Sequence, residues 1–378
     1  MDNIIGFQIK KANIIDIDLD IKDAIMEINI YESIDEIHYH GTMAIIDNYG
    51  LIEDFKLQGN ESMELELLMY NKDSSDTYEI NLFNIDKINL PKNGSGNSVI
   101  VVTFVSKGYY ATIDKRYSEH HEGNHTAIIE SLFKRIGESI NVIDESASAS
   151  PLIIPNLKFN QSINFLLNKT VSHNNEKFYV YQTLSKGYIA QSISNMKEQD
   201  SIIKYSYRIR DVSPTETQKN QGDYTNILDY EVVNYKGVGE DRLSGYNSGS
   251  SEVFNIYSRI SEKRFVSSGE GGEVGAKHIF RVTSGVGLST FGSQELDKYH
   301  KTNKQMHETN IRLMVPGNID VAAGNKITIQ LPTHSVLTNT EDDINHSISD
   351  EYLVINTHHK FTMDTYVTAI EAIRIIQV

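Results

Sequence analysis

The sequence of 378 residues contains no cysteine. The chain therefore cannot build a disulfide framework, and it cannot hold zinc or an iron–sulfur cluster through thiolates. Its length suits two or three domains of ordinary size with a sizeable core. Hydrophobic residues make up 39% of the chain and charged residues 23%, which is typical of a folded protein.

Long apolar runs are also missing. The longest, such as residues 99–102, have the length of a strand, whereas a membrane-spanning helix needs roughly 20 apolar residues in a row. The N-terminal segment, residues 1–23, alternates apolar and charged residues and has no basic start followed by an apolar stretch. We therefore expect neither a membrane span nor a signal peptide.

Clustered basic residues are scarce, and the formal net charge is -16. Proteins that bind DNA or RNA by neutralising phosphates need grouped lysines and arginines. The basic grouping at 204–210 alternates with Tyr, Ser and Ile, which is typical of one face of a strand. An acidic surface repels nucleic acid, which argues against a nucleic-acid binder but suits a surface that DNA passes without sticking.

The chain is rich in β-strand patterning. In its first part, strand-length segments separated by turn-forming residues predict five strands, of which 24–31 and 63–69 show the alternation expected of a strand. These strands are 24–31, 37–46, 63–69, 78–88 and 98–105, with a Gly- and Asn-rich hairpin connection at 91–97. Such a set is typical of a barrel or a sandwich.

The pattern changes near residue 118. Ile128, Leu132, Ile136 and Ile140 recur every four positions, which predicts a helix over 125–140. Further helices are predicted over 160–172 and, more polar, over 291–309. Strands are predicted at 178–182, 187–193, 227–235, 310–315, 326–330, 352–360 and 366–375, and loops at the small-residue segment 146–155 and the Gly/Ser-rich segments 236–252 and 267–276.

One catalytic signature needs weighing, because residues 121–125 read H-E-x-x-H. In zinc proteases the two histidines lie one helical turn apart and the glutamate acts as general base. Here Gly123 costs about 1 kcal/mol in a helix interior, and Asn124 is a good N-cap before the periodic run. We expect the helix to begin at His125, which leaves His121 and Glu122 in a loop. A zinc hydrolase remains an alternative.

Other histidines give no stronger metal site. No motif places His173 or His300 as a third ligand. His38 and His40 would share a face of a strand, and a half-exposed strand face is the preferred interpretation. His358 and His359 are adjacent, so on a strand they point to opposite faces. We expect no catalytic, cofactor-binding or metal-binding residues.

A short internal repeat is present. Gly-Asn-Glu at 59–61 leads into the strand MELEL, and Gly-Asn-Lys at 324–326 leads into ITIQL. An apolar β segment and a short loop precede each. The repeat suggests two β domains of the same design on either side of a mixed middle part.

The stretch at 40–67 resembles the N-terminal barrel of the central baseplate hub proteins of contractile-tailed, T-even-like bacteriophages. In that family a strand runs into an aspartate, a short amphipathic connection follows, and Gly-Asn-Glu opens the next strand. Here these are Asp47, residues 51–57 and residues 59–61. The order of later segments is also similar, including the Pro-Gly-Asn and Ala-Gly-Asn-Lys pattern at 316–326.

The resemblance implies a mainly β fold with an α+β middle, in which two tube-type β-barrel domains bracket a mixed helix and hairpin domain. The expected boundaries are 1–113 for the first barrel domain, 114–212 and 243–306 for the middle domain, and 213–242 and 307–378 for the second barrel domain.

The resemblance also implies a function. Such hubs are structural virion proteins and not enzymes, and they carry no cofactor. Three subunits with two barrels each form a pseudo-sixfold ring, which joins the sixfold tail tube to the threefold cell-puncturing spike and forms part of the DNA ejection channel.

Expected partners are two further copies of the chain, a spike protein made as a separate polypeptide, and the tail tube or its initiator. The tape-measure protein and the baseplate wedge are further candidates. DNA would pass without specific binding. The expected location is the tail baseplate of the virion, after assembly in the host cytoplasm. Alternatives are a sixfold tube initiator, a sheath-side adaptor, the zinc hydrolase at 121–125 and a surface glycan-binding β protein.

Overall fold

The computed structural model describes most of the chain. The described residues are 6–69, 74–89, 98–149, 151–174, 176–207, 224–233, 310–332, 344–345 and 348–375, with four short backbone segments between 263 and 280. The loop expected at 236–252 and the helix expected at 291–309 lie outside them. Over the described residues the protein is mainly β with few helices, as predicted. None of these helices has the length and apolar character needed to cross a membrane.

The first part of the chain forms a set of antiparallel strands, which we call the first strand set. Its members are β1 (Phe7–Ile14), β2 (Leu19–Asp20), β3 (Ile25–Ser33), β4 (His40–Asp47), β5 (Ser62–Met69), β6 (Asp76–Asn89) and β7 (Ser98–Ser106). They lie in the order β3-β4-β7-β6-β5-β1-β2. Alternate residues of each strand point into one core, where Met43, Leu65 and Phe104 are completely buried.

The middle unit combines helices with two small sheets. Its elements are α1 (Lys107–Tyr110), β8 (Arg116–His121), α2 (His125–Ile136), β9 (Ile140–Val142), β10 (Leu152–Lys158), α3 (Phe159–Leu167), β11 (Phe178–Thr183), β12 (Gly187–Ser192) and α4 (Ile193–Glu198). The apolar faces of α2 and α3 meet in a second core, in which Leu132, Phe133 and Ile163 are completely buried.

Helix α2 begins as the sequence predicts and ends earlier. The Asn124 side chain accepts the backbone N–H of Thr126 at 2.9 Å, which caps the first turn. At the other end Gly137 has φ 85° in the left-handed region, which stops the helix after Ile136. The predicted end at residue 140 is therefore wrong, and Ile140 begins β9 instead.

The second strand set comes from the rest of the chain. It contains β13 (Ile203–Ser206), β14 (Tyr224–Asn226), β15 (Asp229–Val233), β20 (Asn310–Pro316), β21 (Lys326–Gln330), β22 (Asp350–Thr362) and β23 (Tyr366–Arg374), in the order β15-β20-β23-β22-β21-β13-β14. Its core includes Tyr205, Ile327 and Tyr352, all without exposed surface. The chain between these strands adds β16 (Lys263–Arg264), β17 (Ser267–Gly269), β18 (Gly272–Val274) and β19 (Ile279–Phe280).

The two strand sets share one design. The order β3-β4-β7-β6-β5-β1 in the first set matches β15-β20-β23-β22-β21-β13 in the second. β5 and β21, which carry the repeat seen in the sequence, lie in corresponding places. Each is preceded by a buried glycine with a left-handed backbone, Gly59 at φ 85° and Gly324 at φ 84°, a conformation that other residues rarely adopt. The two sets differ in one pair of strands: β1 is antiparallel to β5, whereas β13 is parallel to β21.

Three further predictions need correction. Residues 146–155 are not all loop, because Leu152 begins β10, which pairs with β8. The helix expected at 160–172 is Phe159–Leu167, and the Thr170 hydroxyl donates to the carbonyl of Leu166 just after its end. The expected loop at 267–276 contains the antiparallel strands β17 and β18.

Candidate functional site

The two strand sets are joined edge to edge by β3 and β22. Their antiparallel ladder runs from Ser33 opposite Asn356 to Glu27 opposite Thr362. The first part of β22 pairs with β21, so only its second half reaches β3. The result is one antiparallel sheet of eight strands, in the order β6-β7-β4-β3-β22-β23-β20-β15, which we call the wall sheet.

Behind this junction lies a buried carboxylate. Glu32, near the end of β3, has no exposed side-chain surface. It accepts the backbone N–H of Leu184 at 2.6 Å and that of Ala323 at 3.3 Å. Leu184 belongs to the turn between β11 and β12 of the middle unit, and Ala323 to the loop before β21. One side chain of the first strand set thus holds together all three parts of the chain.

The second strand set places an imidazole against this carboxylate. His359 on β22 is also completely buried, and its Nε2 lies 3.8 Å from Oε1 of Glu32. Its Nδ1 is 2.9 Å from the hydroxyl of Tyr366 and 3.4 Å from that of Thr368. Burial raises the pKa of Glu32 to about 7 and lowers the pKa of His359 to about 3. The imidazole is therefore neutral at neutral pH.

The opposite face of the junction is half exposed and carries a row of stacked rings. The ring of Tyr31 lies between His40, at a centroid distance of 5.3 Å, and His358, at 4.4 Å. His358 Nε2 is 2.9 Å from Oδ1 of Asn29, and His40 Nδ1 is 3.1 Å from a carboxylate oxygen of Glu36. A concavity of about 570 Å³ opens beside this row, at one end of the junction.

Charges on this face are paired between neighbouring strands. Lys360 of β22 lies 3.3 Å from Glu27 of β3. Arg312 of β20 lies 3.7 Å from Glu231 of β15 and 3.6 Å from Glu371 of β23. Each exposed pair contributes about 0–1 kcal/mol to stability. Their larger effect is to give the wall sheet a mixed polar surface at these strands.

The wall sheet ends in two edges that the described residues do not cover. Beyond Leu82, the second half of β6 pairs only with β7 in the described chain, and β15 pairs only with β20. Apolar side chains stand exposed along the β6 edge, with Phe83 46% and Ile88 43% exposed. Exposed edges with apolar side chains are natural sites for pairing with another chain.

The H-E-x-x-H residues do not form the zinc-protease arrangement. His121 ends β8, Glu122 follows that strand, and His125 is the first residue of α2, so the two histidines do not share a helix. His125 is completely buried, with Nδ1 3.3 Å from the Thr170 hydroxyl. In the part of the chain that the structure describes, no three His, Asp or Glu side chains are grouped to hold a metal ion.

The other histidines lie in different surroundings. β4 begins at His40, so the strand predicted from residue 37 starts too early and His38 does not share its face. His38 is buried against the middle unit, with ring nitrogens 2.8 Å from the Tyr188 hydroxyl and 2.9 Å from Oδ1 of Asn160. Burial lowers its pKa to about 4. The prediction that His358 and His359 point to opposite faces is confirmed. His300 lies outside the described residues.

Comparison with known proteins gives a likeness in fold alone. Neither a family model nor a curated protein matches the sequence. The fold is similar to that of the tail protein from Neisseria meningitidis MC58, with a TM-score of 0.56, 9% identity, and coverage of 98% of this chain and 96% of that one. It is also similar to the 43 kDa tail protein of prophage MuSo2 from Shewanella oneidensis, with a TM-score of 0.54, 8% identity, and coverage of 98% and 97%.

A third similar structure is the E. coli c3393 protein, a component of the type VI secretion system with structural similarity to the T4 bacteriophage tail proteins gp27 and gp5. Its TM-score is 0.50 and its identity 7%, with coverage of 98% of this chain and 77% of that one. These likenesses extend over nearly the whole chain, strands and middle unit together. The chain therefore has the fold of bacteriophage tail proteins.

Sequence reasoning missed the buried pair of Glu32 and His359. In the sequence, Glu32 directly follows the predicted strand 24–31, and a charged residue in such a place is typical of a solvent-facing position. The only available signal was the alternation itself, which places Glu32 on the same face as the buried residues Ile28 and Ile30.

Proposed function

We propose that the protein is a structural tail protein: a trimeric, pseudo-sixfold baseplate hub that joins the sixfold tail tube to the threefold spike and forms part of the DNA ejection channel. The observation that carries this proposal is the duplicated strand set. One chain supplies two wall segments of the same strand order, joined through β3 and β22. Three such chains supply six segments and so can meet a sixfold partner on one side and a threefold partner on the other.

The two edges of the wall sheet that the described residues leave uncovered support a closed ring. Within the described chain, the sheet ends at β6 on one side and at β15 on the other. A sheet with two free edges is prone to open-ended association, and a closed ring removes both edges at once. A ring of three chains repeats at each subunit contact the arrangement that the chain already contains at its own junction.

The charge of the chain supports a channel role. The net charge is -16, and a wall of the same sign as DNA does not retain phosphates. Near the junction the cations of the wall sheet face carboxylates on neighbouring strands, as Lys360 faces Glu27. DNA would thus pass without specific binding.

The proposed partners follow from the hub role. They are two further copies, a spike protein and the tail tube or its initiator, with the tape-measure protein and the baseplate wedge as candidates. The proposed location is the virion tail baseplate, after assembly in the host cytoplasm. The boundaries 1–113, 114–212 with 243–306, and 213–242 with 307–378 complete the proposal. No enzymatic step and no cofactor is part of it.

Electron microscopy of the purified assembly tests this function. We expect class averages of a ring with threefold symmetry, six similar lobes and a central channel. True sixfold symmetry, from six copies, would instead favour the second candidate, a tube initiator. That candidate is the weaker one, because six chains with two wall segments each would supply twelve segments. Particles without a channel contradict both.

A further inference from the structure

One edge of the wall sheet, which the described residues leave uncovered, has a covered counterpart inside the same chain. β6 and β22 occupy corresponding places in the two strand sets, and both ladders shift register, between Leu82 and Asn84 in β6 and between Val354 and Asn356 in β22. β6 shifts once more, between Ile85 and Lys87, so corresponding residues are counted along the partner strands β7 and β23. Beyond that point β22 is covered by β3. The same stretch of β6 pairs only with β7 among the described residues.

Counting from this point identifies corresponding residues. In each ladder, one residue of the partner strand lies opposite the start of the register shift. Ile100 on β7 and Thr368 on β23 each lie four residues before that residue, so Ile100 corresponds to Thr368. Ile100 lies opposite Ile88, and Thr368 lies opposite His359. Ile88 therefore corresponds to His359. His359 is completely buried, whereas Ile88 is 43% exposed.

The other free edge corresponds to the strand that covers His359. β3 pairs with β4, and β15 pairs with β20, which occupies the place of β4 in the second strand set. By these pairings Ile30 on β3 corresponds to Val232 on β15. Ile30 is buried and lies directly opposite His359 at the internal junction. The equivalent contact at the free edges would place Val232 opposite Ile88.

We propose that β15 of one copy pairs antiparallel with the second half of β6 in the next copy, with Val232 opposite Ile88. This register rests on the three-copy ring proposed above and specifies how its subunits meet. The contact covers an exposed isoleucine with a valine and gives hydrogen-bond partners to backbone groups along two edges that the described residues leave uncovered. It continues the wall sheet from copy to copy.

Charge complementarity supports the same register. At the internal junction His358 bonds diagonally to Asn29, at 2.9 Å. In this register Lys87 takes the place of His358 and Glu231 takes the place of Asn29. A lysine of one copy thus lies within diagonal reach of a glutamate of the next. Opposite charges in these places favour the pairing, and a one-residue slip would put them on different faces.

Engineered disulfides test the register directly, because the chain has no cysteine of its own. We expect the double variant Ile88→Cys with Val232→Cys to form disulfides between copies on mild oxidation, giving covalent dimers and trimers on a non-reducing gel. Residues directly opposite on antiparallel strands have the Cα separation that a disulfide requires. The matched control is Ile88→Cys with Glu231→Cys, whose second side chain points to the other face of β15 and should cross-link at least about tenfold less.

A second control separates failed oxidation from a wrong register. Asn29→Cys with Lys360→Cys joins directly opposite residues of the internal junction and should form a disulfide within one chain, whatever the assembly state. If this control oxidises and light scattering shows three copies, but the Ile88 and Val232 pair gives no cross-link, the register is wrong and the ring stands. If the protein stays monomeric at every concentration, both the register and the ring fail.

Charge exchange gives an independent readout. We expect Lys87→Glu to weaken subunit association about two- to fivefold, and addition of Glu231→Lys to restore it at least in part, because the exposed pair is re-formed with reversed signs. Lys115→Glu makes the same substitution at an exposed position outside the wall sheet and should leave association unchanged. Equal weakening by Lys87→Glu and Lys115→Glu, with no restoration, would overturn the proposed contact.

Discussion

Glu32 and His359 face each other across the junction of the two strand sets, with 3.8 Å between Oε1 and Nε2 and no exposed surface on either side chain. The first strand set supplies the acid and the second supplies the imidazole, while Leu184 of the middle unit donates to the same carboxylate. This contact exists only when all three parts of the chain have docked. The protonation states of Glu32 and His359 therefore depend on the whole fold.

We expect Glu32 to make stability depend on pH. Burial raises the pKa of its carboxyl from 4.5 to about 7, so the folded state holds a proton that the unfolded state releases between these values. Its contribution to stability is present below pH 4.5 and is lost as pH rises towards 7. Relative to Glu32→Gln, the free energy of unfolding of the natural protein should fall by a few kcal/mol over this range. Urea unfolding at a series of pH values measures this, with Glu53→Gln, at an exposed position, as control.

His359 should act in the opposite direction. Burial lowers its pKa from 6.5 to about 3, so below pH 6.5 the unfolded chain takes up a proton that the folded chain does not. The free energy of unfolding should fall as pH drops from 6.5 towards 3, and His359→Asn should remove this loss. The same substitution at His120, which is largely exposed, is the control. Equal acid sensitivity of His359→Asn and the natural protein would show that the imidazole is not held neutral.

Local patterns were enough to predict much of the fold. Residues 63–67 and 310–313 alternate apolar and polar side chains, and that alternation directly reflects one buried face of a strand. The start of α2 was also predictable, because a cap acts on its own helix: Asn124 bonds the backbone two residues on. Features of this kind involve neighbours in sequence.

What could not be predicted depends on distant neighbours. The Glu32 carboxylate finds its backbone donors 152 and 291 positions along the chain, so its burial is a consequence of docking. The exposure of Ile88 likewise depends on distant neighbours, because only β7 pairs with the second half of β6 in the described chain, although the local pattern of β6 resembles that of any other strand. His38 was misplaced for the same reason, because Tyr188 and Asn160 of the middle unit hold its ring.

The cap of α2 should contribute measurably to stability. The Asn124 side chain accepts the Thr126 N–H at 2.9 Å and the Ser146 hydroxyl at 2.7 Å, and its amide donates to the Ser146 carbonyl at 2.9 Å. We expect Asn124→Ala to lower the free energy of unfolding by about 1–3 kcal/mol. Asn124→Asp keeps the accepting oxygens and should lose less. Equal losses for the two variants in thermal or urea unfolding would show that the accepting oxygen of Asn124 contributes nothing.

Treatment with a metal chelator should leave the protein unchanged. His121 and His125 belong to different elements, and Glu122 is exposed beside His120. We expect chelator to change neither the melting temperature nor the native mass, and Glu122→Gln to match the natural protein in both. A drop in melting temperature with chelator, reversed by added zinc, would restore the zinc hydrolase as a hypothesis.

The three-copy ring is tested most directly by the native mass of the purified protein, measured by native mass spectrometry over a range of concentrations. A single chain has a mass of 42.8 kDa. The account predicts a species of three times this mass, unchanged by chelator. On dilution this species should dissociate into monomers, and no ring of another size should appear. A species of six chains, or a monomer at every concentration, would contradict it.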